Sequence, residues 1–424
     1  MSQIVRQARQ VGTSESAARR AERIVHRTMN WRKFSFEFKL DAAGLASDLI
    51  LIEAYKEAAT SLLLPPDWRA QLDRLNRVRA VYGTTMLEGN PLSEAEVSQQ
   101  IDIVENPKEA AKRKATREQQ QIRNAGLAQT WVRARFAPDR APLSVNDILH
   151  MHRLITEKSD EDHNTPGTFR TFQVVVGSPE FGGVHKCAPH ANVPRLMDEY
   201  VEFVNSRQMQ HGHPVIRALL SHFFLLTIHP FGDGNGRVSR LVEAGILFQG
   251  GYNVLGFYGL SNYFYRNEIQ YKTTLQVCRG QRPFDVTPFV AFGLKGFAQE
   301  LKGINNFIKT KLNRIVYRDT LFRGYNTKTS ERRRTINQRE YNLLEYLLNS
   351  TEPVDPFSDN PSRPIKFSEL RVSGYVTAAY KNVTPRTFSR ELQRLADLHF
   401  IKFIKGDDSE EPIVELDFQA IGKY

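Results

Sequence analysis

The twelve residues from His229 to Arg240 (HPFGDGNGRVSR) bring together an imidazole, a carboxylate, three alternating glycines and two arginines. Displacement at phosphorus asks for such a set: a base, a ligand for a divalent cation, backbone N–H donors and cationic clamps. His229 titrates near neutrality and can take a proton from an attacking hydroxyl. Asp233 would repel phosphate unless a cation lay between them, and a hard oxygen ligand sharing Mg²⁺ with phosphate meets that condition. Arg237 and Arg240 stand three apart, on one helix face. Gly232, Gly234 and Gly236 allow left-handed backbone, and a helix opening near Arg237 adds its positive end to the same point. Each part alone has an ordinary use: a histidine after an apolar helix often caps or packs, and GxGxG is often a turn. Their joint occurrence carries the reading. No GK[ST] marks a P-loop, and no strand precedes the glycines as a dinucleotide fold requires.

The elements that must position these groups read mostly as helices. Ala218 to Ile228 is apolar enough for a central buried helix, which Pro230 ends at His229 or just before. Apolar residues recur at three and four in RLNRVRAVYGTTML, SVNDILHMHRLI and VPRLMDEYVEFVN. Upstream, Gly89, Asn90 and Pro91 close a helical run. Glu88 then sits in its last turn, where the dipole disfavours a carboxylate by roughly 0.3–1 kcal/mol. Such a residue wants a cation or solvent. The best strand signal, Phe172 to Val176 and Val184 to Cys187 around Gly177, Gly182 and Gly183, predicts one β-hairpin with a long loop. No repeat of about 20–50 residues points to a solenoid.

At roughly 150 residues per domain, the 424-residue chain should form two or three. Hydrophobic residues at 41% and charged residues at 25% suit a globular protein rather than a disordered one. No apolar run reaches the roughly 20 residues of a membrane span, and the N-terminus lacks a secretory apolar stretch. With only Cys187 and Cys278, a disulfide framework is excluded and a reducing cytoplasm is expected. Lys and Arg number 58 against 47 Asp and Glu, an excess of 11 that suits a phosphate-rich partner. The excess gathers at the N-terminus, in an arm over 1–34, and around 309–339, where Arg332, Arg333 and Arg334 suggest a linker.

The C-terminal region predicts helices over Asn337–Asn349, from Phe367, and over Pro385–Leu398 with Thr384 as N-cap. Strands follow at Phe400–Ile404 and Ile413–Phe418. Arg386, Arg390 and Arg394 share a face of the third helix. The order resembles a winged helix–turn–helix, whose third helix enters a major groove. Winged helices also dock proteins, and Asp407, Asp408, Glu410 and Glu411 would repel a DNA backbone at the wing tip. DNA and protein partners both stay open.

The run from His229 to Arg240 matches the Fic-domain signature HxFx(D/E)GNGRxxR at each specified position. The resemblance extends over roughly 30–305, including Gly167-Thr168-Phe169-Arg170 and Ser261-Asn262-Tyr263. It implies a mainly α protein: a Fic helical bundle with a β-hairpin flap, followed here by the small α+β winged helix–turn–helix-like domain. Its activity would be transfer of AMP from ATP to a hydroxyl of a target protein or of itself. By resemblance His229 is the general base, Asp233 holds Mg²⁺, and Gly234, Asn235 and Gly236 bind phosphates. Arg237 orients the nucleotide and Arg240 holds the γ-phosphate. The hairpin at about 172–188 aligns the target by strand addition. Acidic Asp233 and Gly236 favour nucleotidyl over phosphoryl transfer. Thr84 and Glu88-Gly89-Asn90 resemble the inhibitory motif (S/T)xxxE(G/N), in which Glu88 pairs with Arg240 and blocks the γ-phosphate. Tyr263 and Tyr271 lie on the stretch that walls the adenine site in relatives, core packing being their other reading. Arg279 stands near where many relatives carry an Asn that contacts the base, which leaves UTP, GTP and CDP-type donors open beside ATP.

The expected organisation is a basic arm over 1–34, a helical region with the inhibitory helix over 35–130 and a catalytic core over 131–305. A linker over 306–334 and a winged-helix-like domain over 335–424 complete it. A homodimer is compatible with the family. Competing readings are a nucleotide-sensing DNA-binding regulator, and removal of AMP by the same site.

Overall fold

The computed structural model describes residues 29–423 apart from 63, 107, 109–113, 138–140, 160–163, 254–255, 257–258, 331–332, 353–364 and 407–408. The chain divides into two units, Met1–Gln299 and Glu300–Tyr424. Most of the expected basic arm lies outside the described residues. Its last part does not extend into solvent: Trp31 is buried, and the segment after it folds onto the protein as β1 (Phe38–Lys39).

The first unit continues with α1 (Ala46–Thr60), α2 (Pro66–Met86), α3 (Glu94–Glu105), α4 (Arg117–Arg135) and α5 (Val145–Thr156). Short side chains fix the starts of the last three. Ser93, Thr116 and Ser144 each form a capping box with Glu96, Gln119 and Asp147, satisfying N–H groups that a helix leaves open. An antiparallel hairpin follows, β2 (Val175–Ser178) with β3 (Gly183–Lys186). Its first strand begins at Val175 rather than Phe172, because the Phe172 carbonyl already accepts from Arg170 at 2.6 Å. Then come α6 (Val193–Asn205), α7 (Arg207–His211), α8 (Pro214–Ile228), α9 (Asn235–Gln249), α10 (Ser261–Arg266) and α11 (Glu268–Arg279).

The core forms around α8, which is buried on every side from Ala218 to Ile228. A helix apolar all round has no face to give to water and must be surrounded. Phe223 and Phe224 meet Phe284 edge-on at 5.3 and 5.5 Å, and Phe36 stacks on Phe203 at 5.0 Å. Phe284 belongs to β4 (Phe284–Asp285), which pairs parallel with β1. Helix α9 packs against α8 and is buried from Arg237 to Phe248. No described helix is long and apolar enough to cross a membrane.

The segment read as a linker is largely helical. Helix α12 runs Thr287–Asn326, so residues 306–326 are its second half. Phe307, Lys311, Arg314, Tyr317 and Leu321 are buried, and their three- and four-residue spacing sets them on one stripe of a helix despite the surrounding basic residues. The strands β5 (Lys328–Ser330) and β6 (Arg333–Arg334) follow.

The second unit adds α13 (Gln338–Ser350), β7 (Ile365–Lys366), α14 (Phe367–Val372), α15 (Gly374–Ala379), α16 (Pro385–Asp397), β8 (Ile401–Gly406) and β9 (Ser409–Leu416). The strands form a sheet in the order β7-β9-β8. Its core joins Tyr317, Leu343, Leu347, Leu370, Leu392 and Phe400. Thr384 precedes α16 without a side-chain cap bond. The three arginines expected on one solvent face, Arg386, Arg390 and Arg394, are all exposed, and Arg394 also donates to buried Glu340 at 2.5 Å and to the Thr335 carbonyl at 2.6 Å. The expected wing-tip residues Asp407 and Asp408 lie outside the described residues.

Gly83 lets α2 and α10 meet backbone to backbone, since a Cβ there would stand 2.6 Å from the Asn262 backbone. Gly83→Ala therefore overpacks the contact, a cost of about 1–3 kcal/mol that exceeds the gain in helix propensity of about 1 kcal/mol. Urea unfolding of the full chain should show a lower midpoint for the first unit. An unchanged midpoint would mean that α2 can move aside freely.

Candidate active site

His229 ends α8 in a left-handed conformation, φ 57° and ψ 65°, which a non-glycine residue adopts only when its surroundings enforce it. The enforcement is visible. The His229 N–H donates to the Leu225 carbonyl at 2.9 Å, and Arg170 Nε donates to the His229 carbonyl at 2.8 Å. The Arg170 N–H also donates to the Pro230 carbonyl at 3.0 Å. On the ring, Nδ1 faces the Leu226 carbonyl at 3.4 Å. A carbonyl only accepts, so Nδ1 carries the hydrogen and Nε2 keeps its lone pair. Burial, then Arg279 and Arg170, push the His229 pKa down to about 3, against the opposing pull of the Leu226 carbonyl. The imidazole is neutral at physiological pH.

The turn after His229 differs from a loop of three left-handed glycines. Only Gly234 among them has positive φ, +77°, and α9 already begins at Asn235. The Asn235 amide closes the turn instead: Oδ1 accepts from the Phe231 N–H and Nδ2 donates to the Phe231 carbonyl, both at 2.9 Å. Its side chain is thus committed to the loop, leaving the helix N-terminus to offer backbone donors to an anion. Asp233 presents a carboxylate that is 46% exposed and pairs with Arg237 at 2.5 Å.

Arg240 sits one turn further along α9 with its side chain 3% exposed. Its Nε donates to Thr84 Oγ1 at 2.7 Å, and Nη2 to the Thr84 carbonyl at 3.2 Å and Glu88 Oε1 at 2.6 Å. Glu88 lies just past the end of α2, followed by Gly89 at φ +83°. Gly236 makes the approach feasible: a Cβ there would overlap the Glu88 carboxylate.

A cleft of about 390 Å³ opens between these groups. Glu88, His229, Gly236, Arg240, Tyr271 and Arg279 line it, with β2 of the hairpin along one side. Arg279 Nη2 donates to the Leu226 carbonyl at 3.0 Å, tying α11 to the end of α8. Tyr263 is elsewhere, packed on Phe292 at 5.0 Å, so of the two tyrosines only Tyr271 faces the cleft.

Three positioning residues went unread in the sequence. The Gly167 N–H donates to His152 Nδ1 at 2.9 Å, which places the ring hydrogen on Nε2, toward the Asp233 carbonyl at 3.2 Å. The ring also stacks on Phe231 at 3.8 Å. Arg170 adds bonds to the Phe172 and Ala188 carbonyls, clamping both feet of the hairpin to the His229 turn. Gln276 Nε2 donates to the Gly183 carbonyl at 3.1 Å and fixes the hairpin from α11. His152 fell on the buried face of SVNDILHMHRLI, a position that could have marked it, and Arg170 closes the Gly167-Thr168-Phe169-Arg170 run of the resemblance; nothing local distinguishes Gln276.

Residues 142–247 match the Fic/DOC family. The protein adenylyltransferase Fic of Aedes aegypti is 31% identical over 175 residues, which cover 41% of this chain and 33% of that protein. Its namesake in Drosophila ananassae is 32% identical over 172 residues, 41% and 32% of the two. The chain thus spans about a third of the length of the curated relatives it matches. Among solved structures, a Fic family protein from Desulfovibrio desulfuricans G20 is similar with a TM-score of 0.52 at 19% identity, covering 90% of this chain and 98% of that one. A Fic domain containing signaling protein from Bacteroides thetaiotaomicron VPI-5482 gives 0.50 at 19%, covering 61% and 95%. These two likenesses concern the fold.

His152 has its pKa lowered to about 4, chiefly by burial, so both histidines of the turn stay neutral where an unfolded chain would protonate them from 6.5 downward. Above pH 6.5 neither state binds the proton and these groups add no pH dependence. Below it the unfolded chain takes up protons that the folded one refuses, so stability falls with pH down to about 4. Urea unfolding at several pH values should give a slope steeper in wild type than in His152→Phe, by up to about 1.4 kcal/mol per pH unit. Equal slopes would remove His152 from this role.

Proposed function

We propose that this chain, a Fic-domain protein over residues 142–247, is a protein adenylyltransferase held in a self-inhibited form. It would move AMP from ATP to a Ser, Thr or Tyr hydroxyl of a target protein or of itself. The observation that carries the reading is the pairing of Arg240 with Glu88 and Thr84 at the rim of a cleft that also holds His229. A cation aimed into a phosphate-sized site beside a neutral imidazole suits transfer at phosphorus.

The residues divide the work. His229 Nε2 takes the proton of the target hydroxyl as its oxygen bonds to the α-phosphorus, and the bond to pyrophosphate breaks. Backbone N–H groups at the start of α9, around Gly234, Asn235 and Gly236, face the phosphates, with Arg237 beside them. The Asp233 carboxylate, exposed and oxygen-donating, fits Mg²⁺, which when bound offsets phosphate charge. Arg240 takes the γ-phosphate once Glu88 yields it. The outer edge of β2 has no strand partner among the described residues and suits an extended target segment. Tyr271 and Arg279 then flank the base. A regulator working through DNA has less support, because Arg394, though exposed, is paired with Glu340, which leaves Arg386 and Arg390 as the arginines of α16 with no ion pair among the described residues.

Incubation with Mg²⁺ and ATP labelled in the α-phosphate tests the proposal. Glu88→Gly removes a hydrogen bond between charged groups, about 1.5–3 kcal/mol, and should raise protein labelling by roughly ten- to a hundredfold. Adding His229→Ala should lower it again by about 10²–10⁴. Labelling that ignores Glu88 removes the brake, and labelling that survives loss of His229 removes the base.

A further inference from the structure

Arg240 has a second neighbour, from which a chain of bonds leads away from the cleft. The Tyr271 hydroxyl lies toward its guanidinium, which it helps keep charged, and bonds at 2.8 Å to His222 Nε2. His222 Nδ1 lies 2.7 Å from Glu243 Oε2, and Glu243 Oε1 accepts from the Leu260 N–H at 3.0 Å. His222 and Glu243 are 0% and 1% exposed, and neither lines the cleft. Phe264 and Phe289 pack on the His222 ring at 5.4 and 5.6 Å.

The donors fix the direction of this chain. A guanidinium only donates, so the Tyr271 oxygen accepts from Arg240 and its hydrogen is free for His222 Nε2. Nε2 then carries no hydrogen, and Nδ1–H points at Glu243, whose two oxygens both act as acceptors. The sequence had offered only an adenine wall or core packing for Tyr271. We propose that His222 and Glu243 are positioning residues that act through Tyr271, presenting Arg240 to the terminal phosphate of the nucleotide. The idea rests on the transferase reading, in which Glu88 leaves Arg240 when the nucleotide enters. The relay stays behind: it holds the guanidinium in place from the buried side and ends on a carboxylate that offsets its charge. A buried charge so supported is held in one geometry, whereas one left without partners is costly.

Calorimetric titration of the Glu88→Gly protein with ATP and, separately, with ADP tests this, because ADP lacks the phosphate that Arg240 would hold. Glu243→Gln in that background should weaken ATP by about tenfold and leave ADP nearly unchanged. Equal weakening of both nucleotides, or of neither, overturns the relay. A Glu88→Gly parent that shows no preference for ATP over ADP overturns the Arg240–phosphate reading, and the relay with it. Independently of any nucleotide, ¹⁵N NMR of the His222 ring in the full chain should show the Nδ1–H tautomer. The Nε2–H tautomer would contradict the relay outright.

Discussion

A guanidinium carries five N–H donors and a charge it does not release, so burying one obliges its neighbours to supply acceptors all around it. Arg240 meets that demand from separate directions: Thr84 and Glu88 from α2, and Tyr271 from α11. Burial works against its charge, and Glu88 and Tyr271 more than offset the loss, holding its pKa above the usual arginine value. Of these partners Glu88 is the most exposed, at 30% of its side chain, and it faces the cleft. An incoming anion would meet that contact first. The placement of α2, α9 and α11 around one cation therefore decides which acceptor can be exchanged and which cannot.

The other half of the site is governed by the opposite requirement, an imidazole that must stay uncharged. His229 and His152 achieve this through burial, with cationic neighbours adding to the effect: Arg279 and Arg170 for His229, Arg237 for His152. Arg170 has a double part, because the same side chain that disfavours a charged His229 also holds its carbonyl and both ends of the hairpin. Arg170 thus contributes both to where His229 stands and, behind burial and Arg279, to its staying neutral.

What the sequence made legible was local. The helix stop at His229, the helix from about Asn337 and the turn past Glu88 depend on residues within a few positions of one another, and their chemistry shows in a short window. The meeting of Glu88 with Arg240 spans 152 residues and was read only because both motifs resemble a known pair. Gln276 and the His222–Glu243 pair bind across elements with no marker beside them, so no window contained their partners, and Arg170, though part of the Gly167-Thr168-Phe169-Arg170 run, reaches the His229 carbonyl 59 residues away. The basic stretch around 309–339 misled in another way. Charge density was read as a linker, while the buried stripe of Phe307, Lys311, Arg314, Tyr317 and Leu321 set the backbone to helix.

Release of Arg240 is constrained by what surrounds Glu88 along the chain. Before it, Gly83 packs against the backbone of α10, and Thr85 Oγ1 donates to the Val81 carbonyl at 2.9 Å. After it, Asn90 Nδ2 donates to the Glu118 carbonyl at 3.0 Å and Gln121 Oε1 at 2.9 Å, while its Oδ1 accepts from the Leu92 N–H at 3.1 Å. Withdrawal of α2 as a body would break these contacts together and expose the buried face from Leu72 to Thr85. Rotation of the Glu88 side chain about its own bonds breaks only the bond to Arg240 and returns a carboxylate to water. The second route costs far less, so in the proposed self-inhibited form the brake would be a side chain held by a fixed helix end, and the depth of inhibition would follow from how well that carboxylate competes with a phosphate for Arg240.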